Sequence, residues 1–451
     1  MKIGFLAMSG VRVRDEELLE LGLTLPEFVE RSEVVASLPS LGLLYLAAVT
    51  PCGHELHYYE AESDGAEPEE LYTCDLVAIS TFSAQVLEAY AIAHRLREAG
   101  VVVAMGGLHV SVVPDEAKRH ADHVIVGEGE CVWPTVVEAV ENGDPGKIWD
   151  AKEYGIVDVR FLPAPRYDLL DSRPYNRFTV QTSRGCPWRC DFCASTVMLG
   201  LRYRKRPVAN IVRDIQRVLD LRSHPFIEFA DDNTFVDKRW GKELCRALIP
   251  LGIKWFTETD ISVADDPELL SLMARSGCRQ VLIGLESPDP ESLQGVELKS
   301  NFKAKKAGSY MEAIRRIQSH GITVNGCFVL GLDGQTPAVF ERVRDFVTES
   351  NLYEVQITVL TPFPGTPLYD RLLREERILQ PEAWDRCTLF DVNFVPKNMS
   401  PEELRQGLHA LMGSLYDKDE VKRRRRQFFR DLRQAARAAA NRNFEESAMA
   451  G

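Results

Sequence analysis

The chain has 451 residues, which is too long for one ordinary domain and predicts two or three. Hydrophobic residues make up 45% and charged residues 27%, a composition typical of a globular protein and not of a disordered or fibrous one. The formal net charge of −13 argues against a general nucleic-acid binder, because such proteins need cationic surface to displace counterions from phosphates. No apolar run approaches the roughly 18–20 residues that span a bilayer. The N-terminus predicts an opening β-strand and not a signal peptide, so we expect a cytoplasmic protein.

Strand and helix patterns alternate in the N-terminal part of the chain. Strands are predicted at residues 3–7, 76–80, 101–105 and 124–126, and helices at 38–50 and 85–99. This alternation predicts an α/β, doubly wound, Rossmann-like domain with a parallel sheet. Ligands of such sheets bind beyond the carboxyl ends of the strands. Those ends carry the small or polar residues Ser9, Gly10, Ser80, Thr81, Gly106, Gly107, Gly127 and Gly129.

A second series of strands follows a predicted linker. Strands are expected at residues 178–182, 226–230, 254–257, 280–284, 323–330 and 354–360, with helices such as 207–221 and 310–320 between them. Six strand–helix units predict a partial (β/α)6 barrel. We therefore divide the chain into a domain at 1–142, a linker at 143–173, a barrel at 174–376 and a mostly helical region at 377–451. In that last region a helix at 401–415 has a capping box of Ser400 and Glu403.

The cysteines fall into two groups. Seven are scattered and predicted to be buried apolar side chains: Cys52, Cys74, Cys131, Cys245, Cys278, Cys327 and Cys387. Cys186, Cys190 and Cys193 form a C-x3-C-x2-C run directly after the first barrel strand. A structural zinc site normally has four ligands in paired units, whereas three thiolates on one loop suit a [4Fe–4S] cluster with one open iron. A zinc site with a remote fourth ligand and three unrelated thiols are the alternatives.

The three cysteines, with aromatic Phe192 before the third, resemble the cluster motif of the radical S-adenosylmethionine (radical SAM) enzymes over roughly residues 175–375. In that family the reduced cluster donates an electron to the sulfonium, and a 5′-deoxyadenosyl radical then abstracts hydrogen. The resemblance implies that Phe192 and polar strand-end residues contact SAM. Those residues are Asp231, Asp232, Asn233, Glu258, Glu286 and Ser287. The bland alternative for each carboxylate is a solvated surface charge.

The N-terminal domain is similar to the cobalamin-binding domain that precedes many such barrels. The resemblance rests on residues 38–48, 78–81, 105–109 and 126–130. It implies cobalamin contacts from the strand-end residues named above and from Leu41, Gly42, His109 and Glu128. Many cobalamin domains carry Asp-x-His-x-x-Gly, and no histidine here has that spacing. Cobalamin bound without a histidine ligand and a domain that binds none both remain open, and His109 has a loop histidine as its alternative.

The resemblance implies a cobalamin-dependent radical SAM methyltransferase that acts on an unactivated carbon. Residues 231–364 and 390–404 look closest to members that act on hopanoid lipids or other small secondary metabolites. One alternative is a radical SAM enzyme that cyclises or rearranges its substrate, or transfers the 3-amino-3-carboxypropyl group of SAM. The remote alternative is a non-catalytic iron–sulfur or zinc protein. The sequence assigns no catalytic base or nucleophile.

Two partners follow from this hypothesis. The cluster implies an electron donor such as flavodoxin or ferredoxin. The tail at 418–442 holds ten Lys/Arg against three Asp/Glu, with Phe428, Phe429 and Leu432 among its arginines. That pattern suits an interfacial helix on an anionic membrane or a protein partner. A solvated, partly frayed helix is the alternative that we favour.

Overall fold

The structure, a computed structural model, describes residues 1–8, 13–21, 38–61, 66–170, 175 and 177–449. The chain divides into two compact units. Unit 1 comprises Met1–Asp232 and Leu360–Val395, and unit 2 comprises Asn233–Val359 and Pro396–Gly451. The cysteine run therefore packs in the same unit as the N-terminal sheet, whereas the predicted domains separated the two at a linker. The predicted domain boundaries at residues 142 and 376 stay predictions.

The first sheet is parallel and has the strand order β2-β1-β3-β4-β5-β6. Its strands are β1 (Lys2–Met8), β2 (Glu55–Ala61), β3 (Leu76–Ser80), β4 (Val102–Gly106), β5 (His123–Val126) and β6 (Ile148–Asp150). This confirms the doubly wound sheet, whose strand order reverses beside β1. Strand β6 lies within residues 143–173, which were predicted to be a linker. A strand of three residues is too short to show the alternation from which strands are predicted.

The second sheet has the strand order β14-β13-β12-β11-β10-β7, and a two-stranded antiparallel sheet pairs β8 with β9. The six strands of the larger sheet match the six strands predicted for a partial barrel. All eight strands are β7 (Phe178–Val180), β8 (Ser183–Arg184), β9 (Arg204–Lys205), β10 (Phe226–Phe229), β11 (Lys254–Glu258), β12 (Cys278–Glu286), β13 (Thr323–Leu330) and β14 (Glu354–Val359). The recorded pairs of the larger sheet are parallel, as a barrel of β/α units requires.

Helices separate the strands and follow the predicted pattern. They are α1 (Glu16–Leu21), α2 (Leu41–Val49), α3 (Val86–Glu98), α4 (Leu108–Val112), α5 (Pro114–Ala117), α6 (Trp133–Glu141), α7 (Ser195–Leu199), α8 (Val208–Leu221), α9 (Lys238–Leu248), α10 (Pro267–Arg275), α11 (Phe302–Ala307), α12 (Tyr310–Ser319), α13 (Val339–Ser350), α14 (Pro367–Arg374), α15 (Pro401–Leu415) and α16 (Lys418–Met449). Within the described residues, none of these helices has an apolar stretch that could cross a membrane.

The strands of unit 2 have one apolar and one polar face. In-register partners of a parallel sheet point to the same side, so Gly284, Cys327 and Gln356 share a face. The other face of β13 and β14 carries buried apolar residues such as Phe328 and Ile357. Polar side chains inside a barrel sheet are unusual for packing alone, and we describe this polar face below as part of the site.

The C-terminal helices cover the edge of this sheet. Helix α15 begins at Pro401 with the predicted capping box of Ser400 and Glu403. The backbone N–H of Ile357 on edge strand β14 donates to the Tyr416 hydroxyl at 3.1 Å. Capping an edge strand in this way removes an unpaired donor that would otherwise invite strand pairing.

The first turns of the basic tail are packed, whereas the sequence favours a solvated, partly frayed helix. Within α16, Arg424 and Phe428 are buried, and Arg425 donates to Glu354 at the start of β14 at 2.5 Å. Tyr353 packs against the Phe428 ring with centroids 5.1 Å apart. The first half of the tail therefore belongs to the packing of unit 2, because its arginines find carboxylate partners that charge counting does not reveal.

Two glycines of α15 offer a matched test of this packing. A Cβ on Gly407 would overlap the Phe340 ring of α13, whereas a Cβ on Gly413 would meet nothing within 4 Å. We expect Gly407→Ala to lower the free energy of unfolding by about 1–3 kcal/mol through overpacking. Gly413→Ala should raise it by up to about 1 kcal/mol, since alanine loses less backbone entropy. Chemical denaturation measures both, and equal effects would contradict the packing of α15 on α13.

Candidate active site

The carboxyl ends of β3 and β4 meet at one edge of the first sheet. The backbone N–H of Thr81 donates to the carbonyl of Gly106 at 3.3 Å. Gly107 has φ of 104°, and a Cβ there would lie 2.6 Å from the carbonyl oxygen of Thr81. Only glycine fits this position. The structure therefore brings together four of the residues predicted to contact cobalamin: Ser80, Thr81, Gly106 and Gly107.

The end of β5 joins this edge through a serine. Ser111 donates its hydroxyl to the carbonyl of Gly107 at 2.7 Å and accepts from the backbone N–H of Gly127 at 2.9 Å. A Cβ on Gly129 would lie 3.2 Å from Leu46 of α2, which places that helix against the same turn. Leu41 and Gly42 begin α2, and the space around Gly42 is open for 4 Å. Ser9 and Gly10 lie outside the described residues.

His109 is fully buried behind this edge. Its Nδ1 lies 3.0 Å from the Ser83 hydroxyl and its Nε2 lies 3.4 Å from a Glu116 oxygen. The Trp384 ring packs edge-on with centroids 5.0 Å apart. Burial lowers the pKa of His109 and favours the neutral ring. The predicted contact of His109 with a corrin would therefore require the ring to leave this packed position.

The turn after β5 is joined to the cysteine loop by buried ion pairs. Arg184 lies two residues before Cys186, is 5% exposed, and donates to Glu128 at 2.7 Å and to Glu130 at 2.5 Å. Arg204 also donates to Glu128 at 2.7 Å. Burial raises the pKa of the Glu130 carboxyl, but the charge of Arg184 and its hydrogen bond outweigh burial and leave that pKa below its ordinary value. Glu128, predicted to contact cobalamin, is thus committed to two arginines.

The carboxylate of Asp231, two residues after β10, binds the start of the cysteine loop. The Asp231 side chain accepts from the backbone N–H groups of Thr182 and Ser183 at 2.8 and 2.9 Å, and also from the Thr182 hydroxyl. A carboxylate that accepts several N–H bonds is well satisfied when buried. Asp231 was predicted to contact SAM, and the structure gives its carboxylate a role in holding the entrance of the loop.

The neighbouring carboxylate holds the loop further along. Asp232 accepts from the backbone N–H of Gly185 at 3.2 Å and from the Ser195 hydroxyl. Burial raises the pKa of Asp232, although these two hydrogen bonds oppose the shift. The Asp231-Asp232 pair therefore spans the loop from its first residues to the helix after Cys193.

Helix α14 holds the middle of the loop. Asp191 lies between Cys190 and Cys193, and its carboxylate lies 3.0 Å from Arg371. The Asp191 carbonyl accepts from the backbone N–H of Leu368 at 2.9 Å. A Cβ on nearby Gly365 would meet Val112 of α4 at 2.7 Å and Val197 of α7 at 3.3 Å. The loop therefore packs beside the helix that follows Gly107.

In unit 2 the residues after β10 bind the end of β11. Asn233 is buried, donates to Asp260 at 2.8 Å and accepts from the backbone N–H of Asp260 at 3.3 Å. Glu258 ends β11 and is exposed. The predicted contacts of Asn233 and Glu258 with SAM stay predictions.

The end of β12 carries Glu286, whose backbone conformation is strained. Glu286 has φ of 62°, a region that residues other than glycine seldom occupy, and it follows an irregularity in the pairing with β13. Lys303 donates to Glu286 at 2.7 Å and to the Gly284 carbonyl at 2.8 Å. The neighbouring Ser287 is fully buried. Burial raises the pKa of the Cys327 thiol well above its ordinary value, and the charges of Glu286 and Glu258 add to this.

The polar face of this sheet contains amides without partners among the described residues. Asn325 is 1% exposed, and neither its amide oxygen nor its amide nitrogen has a hydrogen-bond partner there. The same holds for Gln280 Nε2 and Gln356 Oε1. Buried amides are nearly always hydrogen-bonded to protein, water or ligand. The interior of unit 2 is therefore suited to water or to a polar ligand.

The scattered cysteines mostly match their prediction. Cys74, Cys245, Cys278 and Cys387 are buried, and Cys131 and Cys327 are partly buried. Cys52 is exposed, so its predicted burial is wrong; it follows the end of α2 in a turn. Cys186, Cys190 and Cys193 lie on one loop, and none of them forms a disulfide. Three thiols without a second cysteine pair in that loop fit three irons of a [4Fe–4S] cluster better than a closed zinc site.

The sheet edge of unit 1 also fits a large planar ligand. Gly107 and Gly127 both have positive φ and are partly exposed at the ends of β4 and β5. His109 is buried, so the fit is to cobalamin bound without a histidine ligand at this position. The site residues that sequence reasoning missed are Arg184, Lys303, Arg371, Cys327 and Asn325. For Arg184 its place two residues before Cys186 was an available signal, whereas the others lie far along the chain from their partners.

Family models match three parts of the chain. Residues 31–137 match the B12 binding domain, residues 180–347 the radical SAM superfamily, and residues 366–450 a domain of unknown function. The first two matches fall on the first sheet and on the second sheet with its cysteine loop. They agree with the resemblances inferred from the sequence.

A curated relative gives the same family, and a solved structure gives the same fold. An uncharacterised methyltransferase of Synechocystis sp. is 30% identical over 84% of this chain and 71% of its own length. Hopanoid C-2 methylase of Rhodopseudomonas palustris is 27% identical over 77% of this chain and 66% of its own. The radical SAM methyltransferase TsrM of Kitasatospora setae, with cobalamin and a [4Fe–4S] cluster bound, has a TM-score of 0.64 at 16% identity and covers 97% of this chain and 99% of that one. The likeness to TsrM shows the fold.

The buried ion pairs of Arg184 give a stability test of the site. Arg184→Met leaves the charges of Glu128 and Glu130 without this partner, so the free energy of unfolding should fall by about 3–5 kcal/mol. The control is Arg166→Met, which removes an exposed pair with Asp168 and should cost at most about 1 kcal/mol. Chemical denaturation measures both variants. Equal losses would show that the Arg184 pairs do not hold unit 1 together.

Proposed function

This chain belongs to the radical SAM superfamily, in the group whose members carry a B12 binding domain, and we propose that it is a cobalamin-dependent methyltransferase. The observation that carries the proposal is the Arg184 network. It fastens the loop of three cysteine thiols to the turn after β5, at the edge of the sheet that matches the B12 binding domain. An enzyme that uses two cofactors in one reaction must hold their sites at a fixed separation.

Each residue set has a task in this proposal. Cys186, Cys190 and Cys193 would hold a [4Fe–4S] cluster, which supplies the electron for reductive cleavage of SAM. The edge formed by Thr81, Gly107 and Gly127 would hold cobalamin, which supplies methyl-transfer chemistry for a carbon that is a poor nucleophile. Asp231 and Asp232 fix the cysteine loop, and Arg371 fixes its middle. In this proposal the chain's own residues therefore hold the two cofactors in position.

The carboxylates of unit 2 support SAM binding. Lys303 orients Glu286 and neutralises part of its charge, and Glu258 is an exposed residue at the end of β11. Carboxylate oxygens accept hydrogen bonds from ammonium and hydroxyl groups, both of which SAM carries. We assign Glu258 and Glu286 as the SAM-binding carboxylates, and we propose Phe192 as a residue that contacts SAM beside the cluster.

The substrate in this proposal is a small organic molecule or lipid with an unactivated carbon. The hopanoid methylase among the relatives is named for a lipid, and a TsrM structure contains tryptophan as substrate. These two substrates share no scaffold, so the relatives support methylation as the reaction more strongly than any one substrate. A flavodoxin-like or ferredoxin-like protein would donate the electron.

The products of SAM separate this proposal from other radical SAM reactions. We expect the anaerobically reconstituted protein, with cobalamin, SAM and dithionite, to form both 5′-deoxyadenosine and S-adenosylhomocysteine. The first product reports reductive cleavage and the second reports loss of the methyl group. Liquid chromatography with mass spectrometry measures both. Formation of 5′-methylthioadenosine instead would indicate transfer of the aminocarboxypropyl group, and 5′-deoxyadenosine alone, with added cobalamin, would count against methyl transfer.

Iron content tests the assignment of the cysteines. The parent protein should contain about four irons and four sulfides per chain, and the triple variant Cys186→Ala/Cys190→Ala/Cys193→Ala should contain less than about one iron. The control Cys52→Ala removes an exposed thiol elsewhere in unit 1 and should keep the parent content. Stoichiometric zinc with little iron in the reconstituted parent would refute the cluster.

A further inference from the structure

Three large apolar side chains of unit 1 are strongly exposed. Ile156 is 78% exposed, Phe161 80% and Leu201 42%. We call these three residues the apolar face. Clustered apolar residues on a surface commonly mark a site of interaction with another molecule. The first two stand on irregular chain between β6 and β7 and not on an amphipathic helix.

The two segments of the apolar face are tied together by one arginine. Arg204 donates to the carbonyl of Val157 at 3.1 Å and to the carbonyl of Leu199 at 3.1 Å. These carbonyls belong to residues that lie next to Ile156 and two residues before Leu201. The apolar face is therefore a surface of defined geometry within unit 1.

The apolar face borders the cysteine loop. Gly185 directly precedes Cys186 and has φ of 80°. A Cβ there would lie 2.6 Å from the carbonyl oxygen of Arg202 and 2.8 Å from that of Gly200. The chain that carries Leu201 is thus in direct contact with the start of the loop. A molecule bound at Leu201 would therefore lie close to the start of the cysteine loop.

Charged side chains of both signs border the apolar face, and the whole chain has a net charge of −13. The Arg160 guanidinium lies over the Phe161 ring at 5.5 Å. Hydrogen bonds from Arg160, and at longer range the charge of Arg202, hold the pKa of Asp158 at about 2. Exposed Lys152 lies next to exposed Glu153 in the sequence, and Arg160 is paired with Asp158, so these charges offset one another. Arg202 and, within the cysteine loop, Arg189 are also exposed, and these two cations are the ones that an acidic partner would meet here.

We propose that the apolar face is the docking site for a small acidic electron-transfer protein that reduces the cluster. The inference rests on the proposed function, since reductive cleavage of SAM consumes one electron that the protein must receive from outside. In each cycle the donor is oxidised by one electron, the cluster is reduced, and that electron then cleaves the C–S bond of SAM.

The size and composition of the surface fit such a partner. Complexes between redox proteins bury small interfaces, often below about 1,200 Å², and form and dissociate quickly. A few exposed apolar residues supply the contact, and the surrounding cations steer the approach of an acidic protein. A membrane surface would instead favour a long amphipathic helix, and the apolar face has none.

The test compares two reductants on one variant. In Ile156→Ser/Phe161→Ser, we expect 5′-deoxyadenosine formation driven by reduced flavodoxin to fall by about tenfold, which corresponds to about 1.4 kcal/mol of docking energy. The rate driven by dithionite, which needs no docking, should stay within about twofold of the parent rate. Both substituted residues are exposed, so the fold should be unaffected, and the dithionite rate verifies this in the same preparation.

A matched control uses exposed leucines elsewhere in unit 1. Leu373 is 46% exposed and Leu379 47% exposed. Leu373→Ser/Leu379→Ser should keep the parent rate with both reductants. Arg202→Glu should lower the flavodoxin-driven rate most at low ionic strength, because salt screens the interaction of exposed charges. An unchanged flavodoxin-driven rate in Ile156→Ser/Phe161→Ser would overturn the proposal.

Other occupants give distinct results. Loss of binding to anionic vesicles, or loss of a dimer, in Ile156→Ser/Phe161→Ser with a parent-like flavodoxin-driven rate would assign the apolar face to a lipid surface or a second copy and would overturn the proposal. Failure of the reductive cleavage in the proposed function gives a different result, because the parent protein then forms no 5′-deoxyadenosine even with dithionite. Failure of methyl transfer alone would still give 5′-deoxyadenosine, without S-adenosylhomocysteine, and would leave the comparison of the two reductants intact.

Discussion

Arg184 carries a charge that the protein interior must neutralise, and the carboxylates that do so come from the turn after β5. Removing a guanidinium from water is costly unless its donors are paired with acceptors in good geometry. Glu128 and Glu130 meet that need only if the turn and the start of the cysteine loop stay in contact. The placement of the thiols relative to the sheet edge therefore depends on this buried charge. Arg204 extends the dependence to the β8–β9 pair.

The cysteine loop has almost no regular structure of its own, so other groups must satisfy its backbone. Asp231 and Asp232 accept N–H bonds at its start, and Arg371 with the N–H of Leu368 binds Asp191 at its middle. Buried backbone donors and acceptors require such partners wherever a helix or sheet does not supply them. This places two carboxylates in a supporting role. Asp231 and Asp232 fix the backbone conformation of the short loop that carries the three cysteines.

The sequence predicted those parts of the fold that repeat a pattern over five or more residues. Strands such as β3 and β13 and helix α15 were found close to their observed bounds, because apolar periodicity and capping residues are local signals. Strands β6, β8 and β9 have two or three residues and carry no such signal. In the site, the spacing of the three cysteines is local and was informative. The pairs Arg184–Glu130 and Lys303–Glu286 join residues that are 54 and 17 positions apart, and no spacing in the sequence predicts them.

The arginines of α16 change how the charge of this protein should be counted. Arg424 is buried, Arg425 is paired with Glu354, and Arg423 is paired with Glu420. Their charges are largely compensated within unit 2, so the electric potential that the tail presents to solution is weaker than its formal charge implies. A partner that approaches the first turns of α16 would therefore meet mainly the exposed Lys422, Arg426 and Arg430, and not the full count of basic residues.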